Sequence, residues 1–164
     1  MLRRYRATPR LTLLNSTLAI TRLQPDDLPG VWAIEQTLVG PWTLAQLQEE
    51  LALAHGWHLV AKDGAGIVVA YLFGSRVLDE AEIRKIAVAA DHRRQGIADL
   101  LLRGAWQHLA QFAVSSCFLE LRATNLAALS LYQKNGFQII GRRRNYYTLP
   151  TEDAMVLVKS FIPQ

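Results

Sequence analysis

The residues best placed to do chemistry are the contiguous set Arg93, Arg94, Gln95, Gly96, Ile97 and Ala98, which follows the apolar run Ile86-Ala87-Val88. An apolar strand that ends in such a turn and opens a helix near Ala98 presents helix-start NH groups with no partner inside the helix. Those groups, the positive end of the helix dipole and the two guanidinium groups all favour an anion. Gly96 lets the backbone approach that anion closely, so the turn reads as a pyrophosphate cradle. It lacks the Lys-Ser/Thr ending of a Walker A loop and the spaced glycines of the dinucleotide fingerprint, which disfavours ATP and NAD. Taken alone, the turn is equally an ordinary strand-to-helix connection.

The elements that must position this turn are legible from periodicity. Leu18–Leu23 reads as a strand, and Pro25-Asp26-Asp27 as the turn and cap of a helix over Leu28–Leu38. Thr43 caps a second helix carrying Leu44, Leu47, Leu51 and Leu53 on or beside its apolar side. Trp57–Lys62, an Asp63-Gly64 turn and Gly66–Phe73 form a hairpin signal, continued by Glu82–Val88. After the turn, Leu100, Leu101, Ala105, Leu109 and Phe112 recur at helical spacing. A strand over Cys117–Ala123 follows, then a short helix capped by Asn125 and stopped by Gly136. Strands over Phe137–Ile140 and Ala154–Phe161 complete the order βααβββαβαββ. The prediction is an α/β fold with a mixed central sheet and helices on both faces.

The chain has 164 residues, 51% hydrophobic and 20% charged, enough for one packed core. We expect a basic, mobile arm over residues 1–17 and a single domain over 18–164. Arg3, Arg4, Arg6 and Arg10 precede any acidic residue and account for part of the net charge of +4. Asn15, Ser16 and Thr17 interrupt the apolar stretch that follows, which argues against a secretory signal. No stretch is long and apolar enough to span a bilayer, so no membrane partner is expected. The lone Cys117 excludes a disulfide framework, favours a reducing, cytoplasmic setting and reads as core filler. His55 and His58 are spaced like helical neighbours but lack a ligand set, and no metal is expected.

Three segments in order carry a resemblance: the turn R-x-x-G-x-A, the strand Phe118-Leu119-Glu120-Leu121-Arg122, and Asn125 through Leu131-Tyr132-Gln133-Lys134-Asn135-Gly136-Phe137. Together they are far more specific than any one alone, and the chain resembles the GNAT superfamily of acetyltransferases from about Leu18 to Phe161. Ile34-Glu35-Gln36, Pro41-Trp42, Arg143-Arg144-Asn145-Tyr146-Tyr147 and Glu152-Asp153-Ala154 sharpen it toward the bacterial group that acetylates the N-terminal alanine of a ribosomal protein. The resemblance implies a GNAT-type, mostly antiparallel sheet and acetyl-CoA as cosubstrate. It also implies Ile86, Ala87 and Val88 along the pantetheine arm, Arg93 to Ala98 on the pyrophosphate, and Asn125 as a cofactor contact. Glu120 matches the general base and Tyr132 the general acid. Ala98 stands where many relatives have Gly, a departure a methyl group commonly survives.

Those roles fit the chemistry. A protonated amine cannot attack a thioester, so one group must take its proton and another can protonate the departing thiolate. Alternation puts Phe118, Glu120 and Arg122 on one side of their strand, away from Leu119 and Leu121. The phenol of Tyr132 is a donor at neutral pH. A terminal amine has a reference pKa roughly 2.5 units below that of lysine, about 3.4 kcal/mol less deprotonation cost, and is the easier acceptor. Outside the motif, Glu120 reads as a surface carboxylate paired with Arg122 or Arg84, and Tyr132 as a packing aromatic. Trp42, Arg144, Asn145 and Tyr146 are candidate acceptor contacts, although Arg142–Tyr147 reads as well as a solvated hairpin tip. The leading expectation is acetyl transfer to a ribosomal protein's N-terminal alanine, with no nucleic acid required. The alternatives are acetylation of a lysine or small amine, and a non-catalytic CoA- or RNA-binding module.

Overall fold

Val68 to Phe73 is an unbroken apolar run, and in the computed structural model, which describes residues 10–13 and 16–161, it is the middle of the sheet. The elements are β1 (Arg10–Leu13), β2 (Ser16–Arg22), α1 (Leu28–Glu35), α2 (Leu44–Leu51), β3 (Gly56–Lys62), β4 (Val68–Val77), β5 (Glu80–Val88), α3 (Ile97–Leu109), β6 (Ser116–Arg122), α4 (Leu126–Lys134), β7 (Gln138–Thr148) and β8 (Thr151–Ser160). One sheet takes the order β1-β2-β3-β4-β5-β6-β8-β7. Every neighbouring pair is antiparallel except β5 and β6, which are parallel and joined by the crossover through α3. The mixed, mostly antiparallel sheet is the expected one.

Two apolar clusters hold the helices to opposite faces. Leu100, Leu101, Ala105 and Leu109 of α3 pack with Ile20, Leu59, Leu72, Ile83, Leu119 and Leu121 on one face. Leu28, Val31 and Ile34 of α1 and Leu47 of α2 pack with Val60, Tyr71, Phe73 and Ala87 on the other. β3 and β4 are therefore buried on both faces, which is why their sequences read as continuous apolar runs. β6 instead alternates strictly, with Cys117, Leu119 and Leu121 buried and Phe118, Glu120 and Arg122 half-buried. Its second face has no helix of the α1–α2 pair on it, and that open face carries the candidate Glu120.

The local signals behave as expected where the chemistry is local. Thr43 accepts from Gln46 N at 3.2 Å and donates its own amide to Gln46 Oε1 at 2.8 Å, a capping box that starts α2. Asn125 accepts from Ala128 N at 3.1 Å and starts α4, and Gly136 at φ 86° ends it.

Several expectations need correction. Within the expected arm, Arg10–Leu13 pair with Ser16–Ala19 as an edge strand, while positions 1–9 and 14–15 lie outside the described residues. The first helix ends at Glu35 rather than Leu38, because the backbone turns back there. Leu53 lies past the end of α2 and Phe112 past that of α3, both exposed. His55 and His58 are not helical neighbours, since His58 is buried inside β3. Arg142–Tyr147 is not the hairpin tip but the body of β7; the chain reverses at Leu149-Pro150. A long strand tolerates those polar residues because β7 is at the sheet edge, where one flank faces solvent.

Candidate active site

The cleft begins where β5 and β6 part. Their pairing runs from Glu80 opposite Ser116 to Ile83 opposite Leu119 and stops there. Arg84 is the extra residue of a bulge, since Phe73 pairs with Lys85 and Gly74 with Ile83. A bulge bends its strand and raises the local twist, so β5 follows β4 while β6 stays with β8 through Arg122. The β6-facing edge of Lys85 to Val88 and the β5-facing edge of Glu120 to Arg122 consequently line an opening between two parallel strands. Main-chain groups on such an edge are free to pair with an extended arm such as pantetheine.

Beyond Val88 the chain passes through a 3₁₀ turn, Ala90–His92, into the basic turn. Arg94 has φ 63° and Gly96 φ 77°, and α3 starts at Ile97 with no side chain capping it. A methyl built on Gly96 would meet nothing within 4 Å, so the space in front of the helix start is open. Arg93 Nε donates to Val88 O at 3.0 Å and Gln95 Nε2 to Asp91 O at 3.2 Å, which leaves the exposed Arg94 guanidinium free to approach an anion. The one carboxylate in the first turn, Asp99, points at Lys134 Nζ (2.7 Å) and Asn135 Nδ2 (2.7 Å). Burial pushes Asp99 up, but those two donors outweigh it and hold it below its ordinary value. Open space, unpartnered helix-start NH groups and local positive charge are the features a pyrophosphate needs, and the cradle fits acetyl-CoA.

Glu120 is the first residue of β6 past the last pair with β5, at the apex of the split. Its partner is neither Arg122 nor Arg84: Arg143 Nε on β7 lies 2.8 Å from Glu120 Oε1. Arg84 pairs with Glu50 and Glu82, and Arg122 with Glu152, because the bulge and the β8 register turn them away. Tyr146 lies beside the same carboxylate, and its interaction with Glu120 is the largest cause raising its phenol above the ordinary value. Residues 143 and 146 reach the same carboxylate because β7 is irregular between Arg143 and Tyr147, with Asn145 at φ 51°. Asp153 fixes that irregularity, accepting from Arg142 Nε at 2.6 Å and from Asn145 N at 2.8 Å.

Tyr132 is buried on the inner side of α4, its ring 5.4 Å from that of Phe137. Burial is the main cause driving its phenol far above the ordinary range, with Cys117 and Tyr147 adding to it, so the group stays protonated. Asn125 sits at the start of the same helix, where its cap role is geometric fact. Cys117 is fully buried, and burial pushes its thiol up to about 12, which removes it as a nucleophile and matches the core-filler expectation.

The far side of the cleft holds residues the sequence argument did not assign. Glu35 has no exposed surface and accepts from Tyr71 Oη, from Lys85 Nζ at 2.8 Å and from Trp42 N at 2.6 Å. Lys85 Nζ lies 4.7 Å from the Trp42 ring centroid, and that ring packs on Phe73. The available signal was that Glu35 follows Val31 by four residues and so shares its buried side of α1. Arg144 of the candidate acceptor contacts is exposed and does not reach Glu120 among the described ion pairs. No group of three or more metal-ligating side chains occurs among the described residues, and no helix there is long and apolar enough to cross a membrane.

Comparison with known proteins places the chain among acetyltransferases of this fold. The model of the acetyltransferase (GNAT) family matches residues 18–137. The Escherichia coli (strain K12) [ribosomal protein bS18]-alanine N-acetyltransferase is 38% identical over 144 residues, covering 84% of this chain and 94% of that protein. The Mycobacterium tuberculosis N-alpha-acetyltransferase RimI is 37% identical, covering 74% of this chain and 78% of its own length. The crystal structure of the ribosomal-protein-S18-alanine N-acetyltransferase from Escherichia coli superimposes with a TM-score of 0.82 at 31% identity, over 90% of this chain and 96% of the other.

Proposed function

The chain belongs to the GNAT acetyltransferase family and is an acetyl-CoA-dependent N-acetyltransferase; on that premise we propose that it acetylates the α-amino group of an N-terminal alanine of a ribosomal protein, in the cytoplasm. The observation that carries the reading is the position of Glu120, one residue beyond the last β5–β6 pair, within a chain 38% identical over most of its length to an enzyme named for that reaction.

When bound, acetyl-CoA supplies an activated thioester. Lys85 to Val88 offer the strand edge along which its arm lies, and Arg94 with the helix-start NH groups of α3 holds its pyrophosphate. Asn125 contributes a further contact beside the helix it caps. Glu120 takes the proton from the acceptor amine, directly or through water, and Tyr132 donates its proton to the leaving sulfur. Transfer is direct, since the only thiol is buried and held protonated. Trp42 on the α1–α2 side and Tyr146 on β7 flank the acceptor, with Arg144 and Asn145 at its outer edge. The sheet from β1 to β8 with its helices acts as one acetyltransferase domain, so the edge strand Arg10–Leu13 belongs to it although it lies in the basic segment.

The test is CoA release with two peptides, one with a free N-terminal alanine and one blocked there but carrying a free lysine. Turnover of the first alone, lost in Glu120→Gln, is the expected result. Turnover of the second alone would assign the enzyme to lysine acceptors and sink the alanine reading.

A further inference from the structure

Glu35 is the last residue of α1, and its carboxylate gathers donors from three elements: Tyr71 on β4, Lys85 on β5, and the backbone of Trp42 just before α2. The loop of residues 36–43 therefore leaves α1 at Glu35 and returns to the same carboxylate through the Trp42 amide, so one group fixes both of its ends. Between those ends Gln36, Thr37, Val39, Gly40 and Pro41 are exposed. The loop arches toward β6: a methyl placed on Gly40 would stand 3.6 Å from Arg122 Nη2. Arg122 shares its side of β6 with Glu120. The loop thus forms the wall that faces the base across the open half of the sheet.

Packing alone does not call for an acid at this position. A buried carboxylate is unfavourable unless every oxygen is met by a donor, and an apolar side chain would seat α1 against Tyr71 and Phe73 as well. What a carboxylate adds is direction, since charge-assisted hydrogen bonds fix the loop at a set height and angle. Lys85 extends that control to the Trp42 ring through its cation–π contact, and it sits next to Ile86, on the strand edge that bounds the cleft. Burial lowers the Lys85 ammonium, with Glu35 opposing that trend, so the pair depends on both members.

We propose that Glu35 is a positioning residue for the acceptor: its carboxylate ties the α1–α2 loop to β4 and β5 and so sets the wall against which the acceptor's first residues lie beside Glu120. This rests on the reading of Glu120 as the base on that face.

The experiment is steady-state kinetics of wild type, E35Q and Y71F, with an alanine-terminated peptide and acetyl-CoA varied in turn and the melting temperature recorded for each. The expected result is an acceptor KM raised about tenfold or more in E35Q and a few-fold in Y71F, with the acetyl-CoA KM within about twofold of wild type in both; E35D should restore part of the loss. A folded E35Q whose two KM values rise together, or whose acceptor KM is unchanged, overturns the proposal. Should E35Q fail to fold, Y71F decides: a folded Y71F with an unchanged acceptor KM is equally fatal. A wild type that ignores the alanine peptide but acetylates another amine defeats the alanine reading, and the proposal is then judged on the same KM pattern for that amine.

Discussion

β4 is buried on both faces from Val69 to Gly74, whereas β6 alternates buried and half-buried residues from Ser116 to Arg122, and each half of the sheet houses one carboxylate of the candidate site. In the closed half Glu35 has no exposed surface, and donors from three elements saturate it. In the open half Glu120 keeps a partly exposed side chain, and its partners come from an edge strand: Arg143, itself 59% exposed, and Tyr146. A carboxylate whose donors are fixed within a packed core can hold geometry but cannot readily exchange a proton. One whose partners sit on a solvent-facing edge can release them to an incoming amine. On the roles proposed for Glu35 and Glu120, the same residue type does two jobs because the layers above it differ.

The most direct way to break this comparison is to neutralise Glu120. Glu120→Gln should cut kcat by about 10²–10⁴, the span general-base catalysis commonly supplies, with acetyl-CoA binding by calorimetry intact. Retention of more than a tenth of the activity would remove Glu120 from the chemistry. Tyr132→Phe should lower kcat by about tenfold to a hundredfold, with a smaller effect on stability, since the ring packing against Phe137 is kept. Gly96→Ala sharpens the local side of the site. At φ 77° an Ala side chain costs about 1–2 kcal/mol. The acetyl-CoA KM should rise roughly tenfold while the acceptor KM stays put.

The closed half also carries a pH signature. His58 is buried in β3, and burial lowers it from 6.5 to about 4, with the nearby Glu50 backbone opposing that and the cations Arg22 and Arg84 adding to it. The folded protein therefore excludes a proton that the unfolded chain takes up, and stability falls as pH drops below about 6.5 toward 4, by at most about 1.4 kcal/mol per pH unit. His108, lowered mainly by its own burial, contributes in the same sense. The melting temperature measured from pH 7 to 5 should decline in wild type and flatten in His58→Phe. Asp99, Glu152 and Asp153 lie below their ordinary values, so their contribution is lost only at lower pH. The smallest effect belongs to the open half: Arg143→Gln should change stability by less than about 1 kcal/mol, because an exposed ion pair is screened. A larger loss on chemical denaturation would mean that β7 is built into the core after all.

The parts of the site made of consecutive residues were legible. Gly96 announces a left-handed position before a helix, Asn125 and Gly136 bracket α4, and the alternation through β6 puts Glu120 on the less buried side. The parts that misled were those where context overrides local preference. Arg142 to Tyr147 looks like a polar turn but is strand, because an edge needs only one apolar flank. Arg122 and Arg84 were the nearest cations to Glu120 in sequence or across the sheet, yet a bulge at Arg84 and the Glu152 carboxylate claim them.

The sequence by itself determined the apolar periodicities, the caps and the basic turn before α3, because each depends on residues within about one helical turn or one strand of each other, whereas the acid and base candidates came from the family resemblance. Only the tertiary structure decided that β5 and β6 part after Ile83 and Leu119, that Arg143 rather than Arg122 meets Glu120, and that Glu35 gathers Tyr71 and Lys85 from 36 and 50 residues away. Those choices depend on sheet register and on which layer covers which face. No local pattern encodes them, since a hydrogen bond between distant residues exists only once the chain between them has folded.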